Sequence, residues 1–236
     1  MNNFATIQKF PKTDQDCQKE CDLLETVFER RLPTSSAGCC FDLAMYRHFG
    51  STVRLTSARL GLAFADLAEN FHATEFGWFR HIRDGLPFVL LFGNDSQIEL
   101  FAEKFPIDTD PNMTTPLEYQ MPMLYLLVCN ELCRVRQPSE QVEEKIAKSR
   151  KKNPIQFLKV FQAAVRGNQA EYDTALVAGL KHYQGLSESY LDATIAKYIC
   201  RELTSINLMA ERLGKKCPDL PEELGACLMT KASVGC

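Results

Sequence analysis

The sequence is poor in the residues and segments from which common functional sites are recognised. It has four histidines and one tryptophan, and it contains no Gly-rich phosphate loop, no H-E-x-x-H motif and no G-x-S-x-G motif. Its longest apolar runs, 86–92 and 121–129, are far shorter than the roughly twenty residues that a membrane-spanning helix needs. The sequence therefore does not predict a membrane protein, and it does not predict a site for catalysis, a metal ion or a cofactor.

The charge pattern does not indicate a nucleic-acid-binding protein. The net charge is −3, and the short basic cluster at 148–152 lies between two helical patterns, as a solvated connection does. No electrostatic footprint for nucleic acid is therefore expected. The amino terminus lacks the apolar segment of a secretory signal, so we expect a soluble, cytoplasmic protein.

Ten cysteines are many for 236 residues. Without an export signal they are expected to stay reduced. Cys17 and Cys21, like Cys129 and Cys133, are spaced i, i+4 within helical patterns. Structural zinc sites usually have tighter spacing on turns, so inert thiols are expected rather than a metal site.

Apolar residues recur at helical spacing along nearly the whole chain, and no segment alternates with the period of two that is typical of a strand. The sequence therefore predicts an all-α fold. Three helices are expected before residue 75, and later ones over about 75–92, 117–136, 139–148 and 187–213, the last ended by Gly214.

Two segments, "LLFGNDSQIELFAEKF" and "AAVRGNQAEYDTALVAGL", each interrupt a helical pattern with Gly-Asn. We expect Gly93 and Gly167 to end a helix in the left-handed conformation. Asn94 and Asn168 would then begin the next helix, with Gln97 and Glu171 as capping-box partners. So short a connection predicts antiparallel αα-hairpins.

The two hairpins suggest a helical-repeat protein, but no tetratricopeptide pattern recurs at a period of about 34 residues. We therefore expect one compact multi-helix bundle over residues 1–236, built from antiparallel hairpins and arranged either as a single body or as two lobes that meet near the loop at 106–116. A helical-repeat adaptor that binds other proteins is the alternative.

The loop at 106–116 is the one long irregular stretch, and no cation lies between its acidic residues and Arg134 to neutralise Asp108, Asp110 and Glu118 locally. An acidic loop on a helical scaffold can contact a basic partner. A plain solvated linker explains the same residues.

The histidines suggest no chemistry. His81 lies near Glu75, Trp78 and Asp84 in sequence, which fits surface pairs and a buried ring as well as a site.

The segments "WFRHIRDGLPFVLLFGNDSQIELFAEKF" and "FLKVFQAAVRGNQAEYDTALVAGLKHYQG" together resemble the two helix–Gly-Asn–helix segments of the all-helical immunity protein 49 family of bacterial polymorphic-toxin systems. The tail from about residue 190, with its Leu-Pro, is similar to that family's terminal helix, and the resemblance covers roughly 75–224.

This resemblance implies that the chain is not an enzyme. It implies a protein that binds a cognate secreted toxin, delivered by a type VI or similar secretion system, and occludes the toxin's active site. Asp108, Asp110 and Glu118 are then the candidate contacts to the toxin. The oligomeric state is not indicated.

Overall fold

The computed structural model describes residues 77–103, 120–133, 139–148, 152–186 and 198–234, with six isolated positions before residue 49. This part of the chain is 79% helical and contains no strand, so the predicted all-α class is confirmed. The helices predicted before residue 75 and the loop at 106–116, with its predicted lobe boundary, lie outside the described ranges. The described helices are α1 (Gly77–Phe92), α2 (Asp95–Glu103), α3 (Gln120–Cys133), α4 (Ser139–Lys148), α5 (Lys152–Arg166), α6 (Gln169–Gln184), α7 (Arg201–Arg212), α8 (Glu222–Gly225) and α9 (Lys231–Val234).

Both Gly-Asn connections carry the predicted capping boxes. The backbone N–H of Gln97 donates to Oδ1 of Asn94 at 2.9 Å, and the Gln97 side chain accepts from the Asn94 N–H at 3.0 Å. Glu171 and Asn168 make the same reciprocal pair, at 3.0 and 2.7 Å. Each pair satisfies two N–H groups at the start of a helix that would otherwise lack a partner.

The predicted left-handed conformation of Gly93 and Gly167 is wrong. Both glycines continue the helical hydrogen bonding, because their N–H groups donate to the carbonyl oxygens of Val89 and Ala163 at 2.7 and 3.0 Å. Among the described glycines, a positive φ is found at Gly214. Position 167 excludes a side chain for a different reason: a Cβ there would lie 2.7 Å from the carbonyl oxygen of Ala163.

Helix α7 begins later than predicted. Its N-cap is Cys200, with φ −77° and ψ 98°, so a continuous helix from 187 to 213 is wrong. The N–H of Cys200 donates to the carbonyl oxygen of Cys227 at 2.9 Å, which holds the backbone in an extended conformation. Residues 187–197 are not among those described.

The other end of α7 is where the sequence predicts it. Gly214 has φ 86°, its N–H donates to the carbonyl of Glu211, and the N–H of Lys215 donates to the carbonyl of Ala210. This is the Schellman motif, in which glycine adopts a left-handed conformation at little steric cost.

The core of the described part is arranged around α7. Its residues from Leu203 to Ala210 are all buried, and it contacts α1, α3, α5 and α6. Three of these buried residues are polar, and each has a hydrogen-bond partner: Thr204 with the Met229 N–H, Ser205 with the Arg201 carbonyl and Asn207 with the Tyr172 hydroxyl. Because α7 is buried on all sides over these residues, it is the central element of the described part of the chain.

Helices α5 and α6 pack against each other. Nε2 of His182, near the end of α6, lies 2.7 Å from Oδ1 of Asn153, near the start of α5. The chain therefore reverses direction across Gly167 and Asn168. That the whole chain is a compact bundle of such hairpins stays a prediction.

None of the helices in the described ranges combines the length and the hydrophobicity that crossing a membrane requires.

Candidate functional site

The three acidic residues predicted as partner contacts, Asp108, Asp110 and Glu118, lie outside the described residues. Their role therefore stays a prediction. The described part of the chain offers three other kinds of candidate: its cysteines, its histidines, and the exposed face of α5 and α6.

The described thiols are largely buried. Cys129, Cys200 and Cys227 are buried and Cys217 is half-buried. Burial raises the pKa of Cys200 above its usual value, and it raises the pKa of Cys217 and of Cys227 to about 11. At neutral pH these last three thiols are protonated, and a protonated thiol is neither a good nucleophile nor a metal ligand.

The described ranges contain no candidate metal site. Across the described ranges, no three histidine, cysteine, aspartate or glutamate side chains are grouped so that they could hold a metal ion. The Cys17 and Cys21 pair lies outside those ranges.

His182 joins two helices. Besides its contact with Asn153, its ring lies edge-on to Phe157, with the ring centroids 6.3 Å apart. Burial lowers the pKa of His182, and the charge of Lys152 lowers it further. The neutral ring is therefore favoured, and the residue has a structural role between α5 and α6.

His48 contacts the C-terminal segment. Its Nε2 lies 3.2 Å from the carbonyl oxygen of Ala226, and burial lowers its pKa against the opposing effect of this hydrogen bond. The contact connects the N-terminal part of the chain to the segment after α7. His72 lies outside the described residues.

A buried polar group lies where the chain enters α7. The Cys200 thiol is 3.7 Å from Oε2 of Glu202, and the Tyr125 side chain is 1% exposed. Burial raises the pKa of Tyr125, and the nearby Glu202 carboxylate raises it further. The tyrosine and the thiol therefore stay neutral, as expected of packed interior groups.

The exposed face of α5 and α6 has a different character. It contains a surface depression of about 460 Å³, which we call the α5–α6 depression. Its lining is mostly small or uncharged and is contributed by both helices: Gln156 and Lys159 from α5, Asn168 at the connection, and Ala170, Glu171, Thr174, Ala175 and Ala178 from α6. Ala170, Thr174 and Ala178 are exposed and spaced by four, so they form one stripe along α6.

The start of α6, at one end of this depression, is held by the segment that follows α7. Nζ of Lys215 donates to the carbonyl oxygen of Gly167 at 2.5 Å. The Gln169 side chain forms two hydrogen bonds with the backbone of Lys216, donating to its carbonyl at 2.8 Å and accepting from its N–H at 3.0 Å. These contacts fix the connection independently of any partner.

Helix α5 is also held on its other side. The Glu143 carboxylate, only 7% exposed, accepts hydrogen bonds from both terminal nitrogens of Arg166, at 2.9 and 2.6 Å, and from Gln162 at 2.7 Å. The two bonds from one guanidinium to one carboxylate fix relative orientation as well as distance. Helices α4 and α5 therefore pack in one defined arrangement.

The sequence did not point to this face. The one local signal was the spacing of Ala170, Thr174 and Ala178, which is also that of a helix packed inside a protein. Only the position of α6 relative to α5 shows that this stripe faces outward.

Comparisons with protein-family models, with curated proteins and with solved structures find no match to this chain.

Proposed function

We propose that this chain is an immunity protein, which binds a cognate protein toxin through a preformed helical surface and blocks the toxin's active site. The observation that carries the proposal is the α5–α6 depression, a recessed and exposed surface on two helices that are already held in place. The resemblance of both Gly-Asn segments to helical immunity proteins supports the choice of a toxin as partner.

A rigid surface suits tight inhibition. Binding costs free energy for every loop and side chain that has to be ordered, and a surface ordered beforehand avoids that cost. The capping box of Asn168 and the contacts of Lys215 and Gln169 order the start of α6 in the free protein.

The chemistry of the depression indicates what it can receive. Small side chains at Ala170, Thr174 and Ala178 allow close approach, so a partner can insert larger apolar side chains. The Glu171 carboxylate already accepts from the Asn168 N–H, whereas the exposed Lys159 lines the depression and carries an ammonium group. We therefore expect the inserted toxin segment to carry an acidic residue opposite Lys159.

The direct test uses the product of the neighbouring open reading frame, since toxin and immunity genes are expected side by side. Both proteins are co-expressed, and growth and co-purification are measured. We expect the toxin alone to arrest growth and co-expression of this chain to restore growth. We also expect the two proteins to purify together in equal amounts. Growth arrest that persists despite good expression of both proteins would show the proposed function to be wrong.

A pair of matched variants tests the surface separately. Ala178→Arg places a long charged side chain in the α5–α6 depression, whereas Ala147→Arg places the same side chain on the exposed face of α4. Arginine is a good helix former, so both variants should fold. We expect Ala178→Arg to weaken binding by at least about tenfold, or roughly 1.4 kcal/mol, and Ala147→Arg to leave it unchanged.

The two tests separate function from location. Equal affinity of both variants would contradict the proposed surface while leaving the toxin as partner. Stoichiometric binding of the neighbouring protein without recovery of growth would instead favour the adaptor function.

A further inference from the structure

We draw no further inference here: the strongest candidate, the buried thiols of Cys200 and Cys227 beside the start of α7, carries no proposal, because each thiol contacts a different group, Glu202 in one case and the Glu223 carbonyl in the other, and nothing in the described residues shows an oxidant, a metal ion or a ligand reaching them.

Discussion

Lys215 donates a hydrogen bond from its ammonium group to the carbonyl oxygen of Gly167 at 2.5 Å. Three residues earlier, the guanidinium of Arg212 contacts the other Gly-Asn connection, at 2.5 Å from Oδ1 of Asp95 and 3.4 Å from the carbonyl oxygen of Gly93. Both connections therefore meet cations from the same end of α7. Each Gly-Asn connection is thus stabilised by a tertiary contact from the end of α7 as well as by its local capping box.

The capping box at Asn168 should contribute measurably to stability. In Asn168→Ala the N–H of Glu171 loses its acceptor, 3.0 Å away in the native protein, and we expect the free energy of unfolding to fall by about 1 kcal/mol. Asn168→Ser keeps a side-chain oxygen at the N-cap and should remain within a few tenths of wild type. Urea unfolding followed by circular dichroism measures both. Equal stability of the alanine variant and wild type would show that α6 does not need this cap.

The carboxylate of Glu143 should contribute far more to the free energy of unfolding than the carboxylate of Glu144. Glu143→Ala removes the acceptor of three hydrogen bonds from Arg166 and Gln162, and we expect a loss of about 2 kcal/mol. Glu144 is the matched control, because its pair with Lys148 is largely exposed, at 63% and 72%, and exposed pairs of this kind contribute little. Chemical denaturation of the two variants side by side is the measurement. Equal losses of unfolding free energy in the two variants would mean that the hydrogen bonds of Glu143 stabilise the protein no more than an exposed ion pair does.

Gly179 lies where α6 passes closest to its neighbours. A Cβ at this position would be 2.8 Å from Cγ2 of Val160 and 3.4 Å from Cδ2 of Leu203. Alanine gains about 1 kcal/mol in helix propensity, but overpacking a buried site costs about 1–3 kcal/mol and the β-branched Val160 has little rotamer freedom. We therefore expect Gly179→Ala to be destabilised by about 1 kcal/mol.

A glycine at the end of the same helix provides the control. At Gly185 an added Cβ would meet nothing closer than 3.4 Å, and its φ is −78°, so Gly185→Ala should be tolerated. In the double variant Gly179→Ala, Val160→Ala, the cost of Gly179→Ala should largely disappear when it is measured against Val160→Ala alone. A cost that persisted there would mean that the contact with Val160 is not its cause.

Glu211 should make stability depend on pH. Burial raises its pKa above the ordinary value of 4.5, against smaller opposing effects of Asn207 and Lys231. Because the folded state favours the protonated carboxyl, the stabilisation is complete below pH 4.5 and is lost as the pH rises through the higher pKa of the folded protein. Glu211→Gln keeps an oxygen to accept from Asn207 but carries no charge, so it should be more stable than wild type at pH 7.

The pH profile of that variant is the decisive readout. The difference between Glu211→Gln and wild type should shrink as the pH falls and vanish once the wild-type carboxyl is protonated in both states. Thermal unfolding at a series of pH values measures it. A difference independent of pH would mean that the substitution acts through packing rather than through charge.

Local signals predicted the helices well where the structure describes them. The α4 bounds, Ser139–Lys148, agree with the sequence because the apolar spacing and the terminal charges fall within the segment itself. Gly214 and the two asparagine caps were predicted for the same reason: each acts through atoms no more than a few residues away.

Two of the differences from the sequence predictions arise from distant contacts, and one arises from the local backbone. The start of α7 was predicted too early because the Cys200 N–H donates to Cys227, far along the chain. The left-handed glycines were predicted from turn chemistry, whereas Gly93 and Gly167 continue the preceding helix. The α5–α6 depression depends on how two helices pack, so no single stretch of sequence encodes it.

The contacts that hold the two Gly-Asn connections also set the order in which they can mature during synthesis. The carbonyl of Gly93 contacts Arg212, which is translated 119 positions later, and the carbonyl of Gly167 contacts Lys215, which is translated 48 positions later. Neither contact can form until its second residue, Arg212 or Lys215, has been translated. A nascent chain that ends before residue 212 has the local signals for these helices but lacks both cations, so the contact that holds the start of α6 forms only after Lys215 has been translated.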